Sequence, residues 1–429
     1  MNKTIEASLN EDYNCPVRDV MWGHIYMTEK LSELTESAPF FRLNRIMQLG
    51  PVYQLYPGAT HTRASHSIGV YHLGRRLLQN LTERGAADWL THDGVKSFLA
   101  ACLLHDLGHF PYTHSLKELP LTSHEELTGA VILNEPVKSL VSASGADPFL
   151  TAAIVDKKID GTGDELHFYR KLLSGALDPD KLDYLNRDAR YCGVPYGAQD
   201  IDFILSRLIP NKERGVDIDS KLIPNVESIL FSKYLMYRTV YWHRQVRSAT
   251  AMIKKALINS LDSGILTGED LYNLDDSELF SLLEQKLGHN DGINLVKSVR
   301  EGRIYAEVME FSADQLDISF IREISCRARL EIKIAEKIKS LNLSNFADIK
   351  AEDIIIDIPE PVSFETGLFV IDENRNFSES SSAFKPQTVE AFIKTLYTIR
   401  IFINQKYKET IKTFPKICSI IKSVMNTEE

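Results

Sequence analysis

The sequence predicts a mainly α protein, with a large helical domain followed by a small α/β region at the C-terminus. Three observations carry that expectation. Apolar residues recur at helical spacing through most of the first 345 residues, capping residues stand where those stripes begin, and after about 350 short β-branched runs appear. The expected division is therefore 1–345 and 346–429, with the chemistry concentrated in 40–250 and a helical extension over 265–345.

Taken in order, SHSIGVYHLGRRLLQNLTER (Ser65 to Arg84) places Ile68, Leu73, Leu77 and Leu81 on one stripe. Thr91 or Asp93 can cap the next helix, whose VKSFLAACLLHDL is apolar nearly all round and therefore central; Gly108 and Pro111 stop it. Ser123 followed by Glu126 makes a capping box that opens EELTGAVILN. Further helices are predicted at 146–156, 164–175, 179–190, 199–208 and 225–262. From 265 to 345 the pattern stays helical but more charged, as in DSELFSLLEQKLG and CRARLEIKIAEKIKSL. Beyond it, DIIIDIP (353–359), GLFVID (367–372) and RIFINQ read as strands, 387–397 as a helix and SESSSAF (378–384) as a polar linker. This tail reads as a structural cap without chemistry of its own.

Composition narrows the function. Hydrophobic residues at 44% and charged residues at 25% are ordinary globular values. No apolar run approaches the roughly 18–20 residues of a membrane span, and the polar start MNKTIEASLNEDYN carries no secretory pattern. Five scattered cysteines without CxxC spacing argue against a disulfide framework and fit a reducing cytoplasm. A net charge of −10 disfavours nucleic acid and acidic membranes as partners, so a phosphate-bearing ligand needs a local basic pocket or a metal.

LLHDLGHFPYTHS (Leu103 to Ser115) then stands out, because it holds three of the chain's 12 histidines. The His-Asp pair occurs twice. His92-Asp93 opens a helix, where aspartate is a good N-cap and needs no metal. His105-Asp106 ends an apolar helix, where two polar side chains are costly without partners. Adjacent helical residues point about 100° apart, so this pair can bracket an ion but cannot complete its shell. His66 is the best upstream donor, and LDPDKLDYLNRDARYCG offers Asp178, Asp180, Asp183 and Asp188. Asp180, Tyr184 and Asp188 share one helix face, while Asp183 reads as an exposed partner of Arg187. His72 and His167 read as structural. A mixed imidazole and carboxylate shell suits manganese, iron, nickel, cobalt or zinc.

These residues resemble the HD-domain metal-dependent phosphohydrolases, and within them the deoxynucleoside triphosphate triphosphohydrolase branch. The likeness lies in the H…HD…D pattern with HDLGHFPYTH, in FRLNRIMQLGPVYQLYPGATHTRASHSIGVYHLG (41–74), in LDPDKLDYLNRDARYCG and in YRTVYWHRQVR (237–247). The resemblance implies metal ligands His66, His105, Asp106 and Asp180, and active-site histidines His109, His114 and His124. It implies phosphate contacts from Arg63 and Lys181, and sugar contacts from Gln48, Leu49, Tyr184, Asp188 and Tyr241. It also implies one divalent transition metal, with magnesium accompanying the substrate triphosphate, a nucleotide substrate and a homo-oligomer. Within that pattern His124 is expected as the acid, His114 as its orienter and His109 against the α-phosphate. Lys117 stands where members often carry a carboxylate, with Glu118 beside it. Trp242 replaces a glutamine of the animal enzyme, and Ser37 and Asn44 replace its effector-reading acid and arginine. Nucleotide activation of that kind is not expected. The alternatives are a phosphatase or phosphodiesterase on another phosphate ester, and a non-catalytic module binding nucleotide or single-stranded nucleic acid.

Overall fold

The computed structural model describes residues 3–161, 163–288 and 291–426. An antiparallel hairpin, β1 (Cys15–Asp19) and β2 (Gly23–Met27), precedes the helical core. Sequence reading missed it, because its alternation is short and carries few apolar residues.

Helix α1 (Arg63–Glu83) starts at Thr62, whose hydroxyl accepts the Ser65 N–H. It packs against α2 (His92–Leu104), capped by Thr91 rather than Asp93, and the α2 side chains from Phe98 to Leu104 are buried on every face. Helix α3 (His124–Leu133) is opened by Ser123, which accepts the Glu126 N–H and donates to the Glu126 carboxylate. Helices α4 (Pro148–Val155) and α5 (Asp164–Leu173) close over α2. Then α6 (Pro179–Cys192) returns along α1; Asp178 caps it, Pro179 fills its first position and Gly193 ends it at φ 67°. Asp178 is thereby accounted for as a helix cap.

The expected single helix over 225–262 is two: α7 (Ile223–Met236) runs into a π turn at Tyr237–Tyr241, Trp242 leaves the helix, and His243 caps α8 (Arg244–Asp262). Wide turns of this kind re-aim side chains and gather at functional sites. The expected all-helical stretch 265–345 is also interrupted, by strand β3 (Ala306–Ser312), before helix α9 (Ile324–Lys339). Strand β4 (Ile354–Asp357), helix α10 (Pro386–Leu396) and strand β5 (Thr398–Ile403) follow, and the sheet runs β3–β5–β4, antiparallel throughout. Non-local pairing fixes β3, which its charged local sequence does not. The 367–372 strand shrinks to a bridge of Phe369–Val370 with Arg375–Asn376, and a helical turn at Phe377–Ser380 enters the expected linker.

The buried apolar residues fall into three groups, one among the helices to α7, one around α8, one beneath the sheet. Among the described residues no helix is long and apolar enough to cross a membrane, and the five cysteines are unpaired.

Candidate metal centre and histidine cluster

His105 follows α2, and its Nδ1 donates to the Cys102 carbonyl at 3.0 Å, which leaves Nε2 as the free lone pair. That Nε2 is buried without a hydrogen-bond partner. It lies 3.3 Å from Asp106 Oδ1 and 3.9 Å from Asp180 Oδ1. From α1, His66 directs Nε2 to within 3.0 Å of Asp180 Oδ1. Ligand atoms of His66, His105 and Asp106 all lie within 4.8 Å of one another. Two imidazoles and Asp106 gathered within this span, with Asp180 beside both imidazoles and one buried lone pair lacking any donor, fit a divalent transition ion.

The outer contacts explain why these side chains stand so. His66 Nδ1 bonds Asp183 Oδ2 at 2.8 Å, and Asp183 is held by Arg187 Nε at 2.8 Å and by Trp22 Nε1 at 2.6 Å. Arg187 also reaches Asp19 at 2.8 Å, so the hairpin supports the centre. The pairing of Asp183 with Arg187 is as read from spacing, but its expected exposure is wrong: both side chains are fully buried, and Asp183 orients His66. Burial opposes the charge on His66, yet Asp180 and Asp183 outweigh it and push the imidazole up to about 10. Burial likewise opposes Asp106, while His109, His105 and Arg63 hold it well below the usual carboxylate range.

Beside this centre stand His109, His114 and His124. The His109 ring lies 4.0 Å from His124 and 4.8 Å from His114, and His114 lies 5.3 Å from His124. His109 Nε2 sits 3.1 Å from Asp106 Oδ1, and its Nδ1 is buried without a partner. His124 Nδ1 faces Glu125 at 3.2 Å. Desolvation by the surrounding walls, then the Arg63 charge, holds His109 and His114 neutral; for His124 desolvation likewise outweighs the raising effect of Glu125 and Asp106.

Both groups border one cavity of about 400 Å³. Gln48, Leu49, Arg63, Tyr184, Asp188 and Tyr241 line it as well, together with Lys117 and Trp242. Arg63 Nη1 donates to Asp106 Oδ2 at 2.8 Å. Gln48 Oε1 is a further buried acceptor without a partner. Asp188 accepts from the Tyr241 hydroxyl at 2.5 Å and meets His61 Nε2 at 2.8 Å. Lys181 is not in the wall: its Nζ donates to Asp178 at 2.6 Å and to the Gly175 carbonyl at 3.0 Å. Sequence reasoning missed His61, Tyr237, Arg247 and Glu360. The first three had a signal, since His61 lies in the THTRASH run and Tyr237 and Arg247 bound the YRTVYWHRQVR stretch. Glu360 and Pro361 are cavity wall, so the tail is more than a cap.

With this geometry in view, comparison with known proteins becomes informative. A family model described as the HD domain matches residues 63–143, and one described as the HD associated region matches 202–418, just over half of the chain. The chain belongs to the HD-domain family of metal-dependent phosphohydrolases. This HD-domain protein is 29% identical to an uncharacterized protein of Methanocaldococcus jannaschii, over 95% of this chain and 84% of that one. It is 24% identical to the deoxynucleoside triphosphate triphosphohydrolase SAMHD1 of Bos taurus, over 80% of this chain and 66% of that protein's length. Among solved structures, a phosphohydrolase of Bacteroides thetaiotaomicron superposes with a TM-score of 0.71 at 22% identity, covering 91% of this chain and all of that one. That likeness speaks to the fold.

Proposed function

We propose that this HD-domain protein hydrolyses deoxynucleoside triphosphates to deoxynucleoside and inorganic triphosphate. The observation that carries the reading is one cavity bordered both by His66, His105, Asp106 and Asp180 with the three histidines and by Gln48, Tyr184, Asp188 and Tyr241. The name of the bovine relative supports the substrate class.

His66, His105, Asp106 and Asp180 would hold the metal, of the manganese, iron, nickel, cobalt or zinc kind, and it would supply Lewis-acid polarisation of a phosphoryl oxygen. Water adds to the α-phosphorus, the bond to the 5′-oxygen breaks, and that oxygen takes a proton. His124 is the proposed acid, with His114 orienting it and His109 against the α-phosphate. Neutral in the free protein, His124 becomes a competent acid once the polyphosphate charge arrives beside it and raises its affinity for a proton. Tyr184 crowds the sugar edge, and Gln48 and Asp188 meet the 3′-hydroxyl, with Leu49 and Tyr241 packed about the ring. Arg63 meets the phosphates. A homo-oligomer working in the cytoplasm, without a membrane partner and with nucleic acid disfavoured, completes the proposal.

Chromatographic product analysis tests it, with each of the four dNTPs and their ribose counterparts in manganese or magnesium. His105→Ala/Asp106→Ala serves as the blank. Deoxynucleoside plus triphosphate, absent in the double variant, is the expected result; intact dNTPs across the panel in metal-loaded protein would overturn it. Hydrolysis of another phosphate ester is the second reading, favoured by Trp242 in the wall and by Lys181 being engaged with Asp178.

A further inference from the structure

Among the described residues the lysines and arginines lining the cavity are Arg63, Lys117 and Arg247. Two of them are engaged by acids. Arg63 meets Asp106 at 2.8 Å. Arg247 meets Asp357 at 2.6 Å and, at 3.4 Å, Glu360 on the irregular segment 358–368 that follows β4. The other carboxylates of the wall are held too, Asp180 by His66 and Asp188 by His61 and Tyr241. Lys117 is left over. Among the described residues its ammonium has no hydrogen bond and no ion pair, although Glu118 follows it in the chain.

Local geometry explains why that neighbour does not neutralise it. Thr113–Leu116 form a short 3-10 turn, and Lys117 continues it with φ −59° and ψ −19°. Residues three apart eclipse in such a turn, so Lys117 follows the face of His114, while Glu118 points about 120° away. There Lys254 at 2.9 Å and Arg327 at 2.8 Å hold Glu118 against α8 and α9. Burial does most to keep His114 and His124 neutral, and the Lys117 charge adds to both, as a group beside them would. A solvated ammonium needs no protein partner, and Lys117 is exposed. It is therefore free to make a charge-assisted bond to an incoming anion, which Arg63 and Arg247 can do only by sharing their carboxylates' donors.

We propose that Lys117 is a substrate-contacting residue whose ammonium takes a phosphate group lying beside His114 and His124, so that the cavity selects its ligand by phosphate charge. The proposal rests on the cavity receiving a polyphosphate and is indifferent to base and sugar. Inorganic triphosphate is the probe, titrated calorimetrically into the full chain. Lys117→Met should bind it about tenfold more weakly than the unaltered protein, the loss of one charged hydrogen bond. Lys117→Arg should restore most of the affinity. Lys138→Met, which removes an exposed lysine outside the wall, should change nothing. Equal affinity of the unaltered and Lys117→Met proteins, equal weakening by the Lys138 variant, or no binding by the unaltered protein overturns the proposal.

Amine acylation of the unaltered chain, read by peptide mass spectrometry, decides the matter should Lys117→Met fail to fold. Saturating triphosphate should slow acylation of Lys117 and leave Lys138 as it was; an unchanged rate at Lys117 overturns the proposal. Should dNTPs prove not to be substrates while triphosphate still protects Lys117, the substrate assignment falls and the role of Lys117 stands.

Discussion

His66 and His72 lie six residues apart on α1 and titrate in opposite directions. His66 is drawn up by two carboxylates, whereas burial, with Arg76 and Arg75 nearby, pushes His72 down to about 4 from its ordinary 6.5. The residue type says nothing of this; the neighbours decide it. The His72 shift has a sign that can be tested. As pH falls below 6.5 the unfolded imidazole takes a proton, while the folded one stays neutral until about 4. The unfolded state thus binds more protons across that window, and stability is lost on the way down, by at most about 3 kcal/mol. His72→Gln should flatten this part of the profile in urea midpoints taken from pH 7 to pH 4. Parallel profiles for the two proteins would show that His72 contributes nothing to acid sensitivity. At the same scale Asp183 was half legible: spacing gave its Arg187 partner, but only the meeting of α1, α6 and the β1–β2 hairpin buries the pair behind His66.

Among the elements, the junction between the end of α2 and the start of α3 gathers the histidine cluster. The Gly108 N–H donates to Thr128 Oγ1 at 2.8 Å, and Thr128 Oγ1 donates to the His105 carbonyl at 3.0 Å, clamping the two segments. A Cβ on Gly108 would meet the His124 carbonyl oxygen at 2.2 Å and the Thr128 nitrogen at 2.5 Å, both backbone atoms of α3. Gly108→Ala must therefore displace the helix that begins with His124. Turnover should fall about 100-fold, the scale of a 1 Å misplacement, while metal content by mass spectrometry stays near that of the unaltered protein. Gly74→Ala is the contrast, since its Cβ would meet side-chain atoms of Cys102 and Phe98, Sγ at 2.6 Å, and no backbone of the helix that begins with His124. It should lower the melting temperature with little change in turnover per folded molecule; an equal loss of turnover in both would refute the positional argument. Elements with a cap and a sustained apolar stripe, such as α1, α2, α3 and α6, were legible because local chemistry alone determines them. The break at Trp242 and the strand β3 were not. A π turn leaves the apolar spacing on either side almost unchanged, and β3 owes its state to β5, almost 90 residues away.

In the whole molecule, the cavity depends on ion pairs that tie the helical half to the C-terminal sheet. Arg247 on α8 holds Asp357 at the end of β4 with Nε at 2.8 Å and Nη2 at 2.6 Å, and also donates to the Ile358 carbonyl at 3.1 Å. Glu118, just past the histidine segment, meets Lys254 at 2.9 Å and Arg327 on α9 at 2.8 Å, so α8 and α9 share an acid from beside the histidine cluster. Asp357 is fully buried, and although burial opposes its charge, Arg247 holds the carboxyl below its usual range. Removing one partner of such a pair leaves an isolated buried charge, which costs about 3–5 kcal/mol, while replacing both with apolar groups costs far less. Arg247→Met should accordingly lower unfolding free energy by about that amount in urea denaturation, and Arg247→Met/Asp357→Leu should recover most of it. The single variant frees Glu360 from Arg247 as well, so the segment over the cavity should exchange its amides faster. Recovery of stability in the double variant without recovery of that protection would separate the two roles: Asp357 anchors the sheet, and Glu360 fastens the segment. Failure of the double variant to recover stability would mean that the pair is held by the fold rather than holding it.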